Sequence, residues 1–156
     1  MREKVPAILF PMLLCGTNVV GYTNYYNNAV HKFCKQASKS GVDILCVFDS
    51  LNYTENLKIG ISAVGTTSRV MEVILYYIGG ISDPNKGKCD IRYYINLTSD
   101  LNDMGVYYIA VEEMAGLLNP RAATMLVSAL REEIPGIPLN MTLQRLIHPP
   151  RSCETL

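Results

Sequence analysis

The chain has 156 residues, with 14 Lys and Arg against 14 Asp and Glu, and 49 % of it is hydrophobic. That apolar share excludes an intrinsically disordered chain, and balanced charge without Lys or Arg clusters argues against a nucleic-acid binder, which must neutralise phosphates. No apolar run reaches the roughly 18–20 residues that cross a bilayer, and the length fits one domain.

In chain order, Met1-Arg2-Glu3-Lys4 ahead of the apolar run Val5–Cys15 has the outline of a secretory leader, and N-x-[ST] sequons stand at Asn52, Asn96 and Asn140. Glu3 in the basic stretch, Pro6 and Pro11 in the apolar one, and the lack of a small-residue cleavage site favour a buried strand over Ile8–Leu14 instead. Periodicity then predicts a helix over Asn27–Ser40, a strand over Asp43–Phe48, a helix over Asn56–Ala63 and a strand over Val73–Tyr77. A helix over Asp90–Asp103, a strand over Val106–Val111, a helix over Pro120–Glu133 and a strand over Ile137–Met141 complete the pattern. In the last helix Ala123, Leu126, Val127 and Leu130 form one apolar stripe, with Asn119 as cap, Pro120 in the first turn and Pro135-Gly136 at the exit.

One βα unit therefore recurs about every thirty residues, and continuous apolar strands joined by helices imply a parallel α/β sheet. Two architectures satisfy this. Five units complete a flavodoxin-like doubly wound sheet, or they make a partial TIM (β/α)8 barrel, whose full form takes about 250 residues. Periodicity does not choose, and length favours the complete sheet.

Either fold places ligands at the carboxyl ends of its strands. Those ends read Cys15-Gly16-Thr17-Asn18, Asp49-Ser50-Leu51-Asn52, Gly79-Gly80, Glu112-Glu113-Met114-Ala115-Gly116 and Asn140-Met141-Thr142. They suit an active-site rim, and equally loops that simply meet water. Glu112 and Glu113 are neighbours on one strand, so at most one can look into a site. There is no phosphate-loop Lys, no G-x-G-x-x-G, no nucleophile elbow and no triad His. The Cys at 15, 34, 46, 89 and 153 are odd in number and never at C-x-x-C spacing, which suits reduced intracellular thiols. His31-x-x-Cys34 offers two metal ligands at most, and His148 precedes Pro149-Pro150 in a tail.

Met12-Leu13-Leu14-Cys15-Gly16-Thr17-Asn18-Val19-Val20-Gly21-Tyr22-Thr23-Asn24-Tyr25 resembles the MLLRGAN-x-VGYTNYP segment of the pyruvate carboxylase family. Val47-Phe48-Asp49-Ser50-Leu51-Asn52-Tyr53 is similar to its RVFDSLNY, and Ser82-Asp83-Pro84 and Tyr93-Tyr94 to its ADP and QYY. Met114-Ala115-Gly116-Leu117-Leu118 and Thr124-Met125-Leu126-Val127-Ser128 resemble KDMAGLL and TMLVS. The similarity runs from about residue 5 to 139.

The resemblance implies a carboxyltransferase barrel with a divalent metal (zinc or manganese) at its mouth, moving a carboxyl group from carboxybiotin to pyruvate to give oxaloacetate. The five strands would be the third to seventh of that barrel, with a partial barrel domain over 5–142 and an unrelated C-terminal tail over 143–156. At the positions that matter most the chain departs from the pattern. Cys15 stands where the resemblance implies a substrate-binding Arg, and Cys46 where RVFDSLNY has its Arg. Glu112 stands where it implies a metal-binding carboxylated Lys, and Asn140 and Thr142 where it implies metal-ligating His. What remains is Gly16, Tyr22, Asp49 and Met114, with Asn18 and Asn52, as a remnant of the substrate and biotin pocket, Tyr22 matching a biotin-pocket Tyr.

The expectation is thus a fragment that is inactive by itself, without catalytic residues, metal ligands or cofactor, or else a non-catalytic interaction protein. Its expected partners are full-length carboxylase subunits, or further copies joined through open sheet edges, with neither nucleic acid nor membrane. The resemblance implies a mitochondrial or cytoplasmic location. With the barrel unclosed, the inward faces of the strands should lie open, favouring an aggregation-prone chain or an oligomer.

Overall fold

The computed structural model describes residues 4–79, 81 and 89–143. The segment Ser82-Asp83-Pro84 and the tail from residue 144, with His148 and Cys153, lie outside the described residues. Among the described residues five strands alternate with four α-helices: β1 (Pro11–Leu14), α1 (Asn27–Lys39), β2 (Ile44–Phe48), α2 (Thr54–Gly65), β3 (Val70–Tyr76), α3 (Ile91–Asp103), β4 (Tyr108–Glu113), α4 (Pro120–Glu133) and β5 (Leu139–Leu143). Every pairing is parallel, and the strands lie in sequence order, β1-β2-β3-β4-β5.

That order decides the architecture. A doubly wound sheet reverses direction after its first unit, giving a flavodoxin-like order of 2-1-3-4-5, whereas a barrel adds each strand on the same side of the last. The flavodoxin-like alternative is therefore excluded, and the sheet is an arc of a barrel.

Side chains alternate across the sheet. Leu14, Leu45, Val47, Val73, Leu75 and Ile109 point outward and are buried under the helices, in one core with Val30 and Cys34 of α1, Leu57 and Val64 of α2, and Leu97 and Leu101 of α3. Leu126 and Leu130 of α4 pack with Val111, Tyr77 and Tyr94. The opposite face carries Cys46, Ile74 and Ala110, with Ile44, Phe48 and Tyr76 against them. It curves into an inner wall that bounds a concavity of about 300 Å³.

Several boundaries differ from expectation, β4 and β5 each lying two residues later than the apolar runs that mark them. β1 starts at Pro11 rather than Ile8, because the Asp43 carboxylate accepts the Phe10 N–H at 2.8 Å and the ladder begins only beyond it. β3 starts at Val70, ahead of the apolar run, because Glu72 sits mid-strand on the inner wall, where its side chain has a partner. α2 starts two residues early, at Thr54. The predicted α4 cap is present, the Asn119 side chain accepting the Ala122 N–H at 2.9 Å, and Asp90 caps α3 in the same way at Tyr93.

Candidate functional site at the barrel rim

The carboxyl ends of β1 and β2 are tied together by Asn56 in the first turn of α2. Its Oδ1 accepts from the Thr17 N–H at 2.7 Å and the Thr17 hydroxyl at 2.6 Å, while its Nδ2 donates to Asp49 Oδ2 at 2.7 Å. The other Asp49 oxygen accepts the N–H groups of Leu51 and Tyr53 at 2.9 and 3.0 Å. Gly16 lets Asn56 come this close: its φ is +44°, and a Cβ there would lie 2.5 Å from the Asn56 side chain. A side chain would be strained by both conformation and contact.

Of the expected remnant, the structure joins Gly16 and Asp49 through this network. Tyr22 and Met114 it leaves apart, Tyr22 fully exposed and Met114 half exposed. Asn52 is buried beneath the rim and bonds both backbone groups of Tyr76, accepting from its N–H at 2.8 Å and donating to its carbonyl at 2.9 Å. Asn18 neighbours Thr17, whose hydroxyl lies 3.5 Å from Asn18 Oδ1.

Deeper on the inner wall, the Cys46 thiol donates to Glu72 Oε2 at 3.0 Å. Burial, the hydrogen bond and the Glu72 charge push that thiol up to about 12. Burial, then the Asp49 charge, raises the Cys15 thiol. The Tyr76 hydroxyl is pushed up to about 12 by burial, then by the charge of Glu112 and its hydrogen bond to that carboxylate. Glu112 lines the concavity with Asn140 and Thr142, the two other positions where metal ligands are expected. Glu113 points the other way, buried, its Oε1 accepting the N–H groups of Ala115 and Leu117 at 2.8 and 2.9 Å. One of the two glutamates faces the concavity, as the strand alternation requires.

Asn56, Tyr76 and Glu72 were not among the sequence candidates. Asn56 reads as the start of a helix, and nothing local shows that it reaches back to Thr17. Glu72 carried a weak signal, a lone carboxylate beside an apolar run.

No family model matches the chain. Among known proteins it is 45 % identical over 141 residues to human "Pyruvate carboxylase, mitochondrial" and 43 % identical over 141 residues to "Pyruvate carboxylase" of Bacillus subtilis, each match covering 90 % of this chain. The chain spans only 12 % of the length of either relative. The carboxyl transferase domain of Rhizobium etli pyruvate carboxylase, solved with pyruvate and biocytin, superposes with a TM-score of 0.85 at 44 % identity, over 90 % of this chain and 23 % of that one. Sequence and strand order together place this chain with the carboxyltransferase domain of the pyruvate carboxylases, of which it spans a portion.

Proposed function

We propose that the chain is a carboxyltransferase scaffold that transfers no carboxyl group by itself. The observation that carries this reading is the chemistry of the inner wall, where thiols stand at 15 and 46 and the nearest charged groups are carboxylates. Both thiols are raised, so they are neutral near pH 7. A neutral thiol supplies neither the charge nor the paired donors with which Arg grips a carboxylate such as that of pyruvate.

The implied metal does not fit either. Glu112 already accepts a hydrogen bond from Tyr76, and its wall neighbours Asn140 and Thr142 offer only weak neutral donors. Zinc prefers nitrogen and sulfur ligands, and one carboxylate with an amide and a hydroxyl is a poor set for any transition metal. Among the described residues no three His, Cys, Asp or Glu side chains are grouped to hold a metal ion. Biotin would have to come from a separate domain.

The isolated chain is expected to form no oxaloacetate from pyruvate and free carboxybiotin in an assay coupled to malate dehydrogenase. Turnover that disappears on Glu112→Gln would overturn the reading. Elemental analysis of chain purified without chelator should find no stoichiometric zinc or manganese, and a one-to-one content would overturn the misfit.

A non-catalytic interaction role is the second reading, favoured by the sheet edges and inner wall that no described residue covers. Its partners would be full-length carboxylase subunits or further copies of the chain, in the mitochondrial matrix or cytoplasm where such carboxylases work. No described helix is long and apolar enough to cross a membrane.

A further inference from the structure

The end of β3 brings one large side chain to the place where the resemblance implies a metal. Inward positions alternate along each strand, and the register sets Tyr76 of β3 directly beside Glu112 of β4, with Thr142 of β5 beside Glu112 in turn. Asn140 faces the same wall one layer deeper, beside Ala110. Neighbouring strands lie about 4.8 Å apart, so a side chain as long as tyrosine can reach across to the next strand. Tyr76 does so: its hydroxyl donates to the Glu112 carboxylate.

Its position is fixed from three sides. Buried Asn52 accepts the Tyr76 N–H at 2.8 Å and donates to the Tyr76 carbonyl at 2.9 Å, which holds the backbone that carries the ring. The Phe48 ring meets the Tyr76 ring edge to face, with centroids 6.1 Å apart and planes at 78°. The ring also packs on the apolar cluster of Cys46, Ile74 and Ala110. All these groups belong to β2, β3, β4 or the turn after β2, so the arrangement lies in the middle of the described sheet and does not depend on what adjoins its ends.

Glu112 has reason to keep this partner. Among the described residues no Lys, Arg or His lines the concavity with it, and Glu72 adds a second carboxylate. A half-buried carboxylate without a cation is costly unless donors reach it. A hydrogen bond to a charged acceptor shifts an equilibrium by about 10–100-fold.

We propose that Tyr76 is a built-in plug, which occupies Glu112 where a metal would and shuts the site from within. The missing His ligands at 140 and 142 are one bar to a metal, and the plug is a second, independent one. A cation reaching Glu112 must first break the hydrogen bond and turn the ring away from Phe48. Restoring the two ligands alone would therefore leave the site closed. The plug rests on the reading of the chain as a carboxyltransferase scaffold and names the side chain that closes it.

Ligand restoration in the full chain tests this, with cobalt(II) as the probe because its visible absorption tells His and carboxylate ligands from thiolates. Asn140→His with Thr142→His gives Glu112 two imidazole neighbours, a two-His, one-carboxylate set. With Tyr76 in place this variant should bind cobalt weakly. Adding Tyr76→Phe, which keeps the ring and removes the hydroxyl, should tighten binding about 10–100-fold, and Tyr76→Ala at least as much. Without the two His, the same changes at 76 should gain nothing. The space under the ring is read with p-cresol, the tyrosine side chain as a free molecule. It should raise the Tm of Tyr76→Ala saturably and leave wild type and Tyr76→Phe unmoved. Near-UV circular dichroism checks folding, and the nearly isosteric Phe variant decides the matter if the Ala variant does not fold. Cobalt affinities indifferent to residue 76, an equal gain without the two His, or p-cresol that shifts wild type as far as Tyr76→Ala would each overturn the plug. Failure of the carboxyltransferase reading would show instead as turnover by the wild-type chain.

Discussion

Asn52 holds a φ of +55° at 5 % exposure, and its amide satisfies both backbone groups of Tyr76. Asn tolerates this left-handed conformation better than most residues. Asn52→Ala loses both the bonds and the tolerance, and should lower stability by about 1–3 kcal/mol in denaturant unfolding. Asn52→Gly keeps the conformation and should lose less, which separates the two contributions.

The thiols give a second test at this scale. Burial pushes Cys34 up to about 11, and Cys46 is held near 12, against an ordinary value of 9.0. The fold thus favours the neutral thiols. Their contribution is complete below about pH 9 and is lost as pH climbs through 11 to 12. At pH 8 both should resist iodoacetamide until the chain is unfolded, as peptide mass mapping will show; labelling of the folded chain would contradict the burial. Position 49 was legible from motif and loop placement alike. Tyr76 and Glu72 were not, because their roles depend on Glu112 and Cys46, which reach them only across the sheet.

Among the elements, α2 and β2 approach closely through Gly60, where a Cβ would lie 2.6 Å from Val47 Cγ1. Ala is the better helix former by up to about 1 kcal/mol, yet overpacking a tight core costs about 1–3 kcal/mol. Gly60→Ala should therefore destabilise, and adding Val47→Ala should recover part of the loss in thermal unfolding. Failure of the second change to help would place the strain elsewhere. The alternation of strands and helices was legible because buried strands and amphipathic helices leave different periods. Their ends were less so: β1 is cut short by the Asp43 side chain bonding to Phe10, a contact between residues 33 apart in sequence.

For the whole molecule, periodicity left two topologies open, since both use the same βα unit, and strand order alone separates them. Among the described residues the arc does not close, and Leu13, at an inward position of β1, is 57 % exposed. Apolar surface left open in this way forgoes about 25 cal/mol per Å². Stability should consequently be graded across the sheet. Hydrogen exchange is expected to be slowest in β3, at the centre of the sheet with two strands on each side, and fastest in β1 and β5. Uniform protection across all five strands would show a barrel closed by some other route.

Strand order has one more consequence, for biosynthesis. Each strand pairs with the strand made just before it, Ile44 with Pro11, Val70 with Ile44, Tyr108 with Glu72 and Leu139 with Ile109, never waiting for a distant segment. A ribosome delivers about 5–20 residues per second, and a βα unit forms far faster than the next one emerges. The sheet can therefore lengthen unit by unit during translation, each nascent strand meeting a template already in place. Chains arrested after α2, α3 or α4 should show successively greater resistance to protease while still attached to the ribosome.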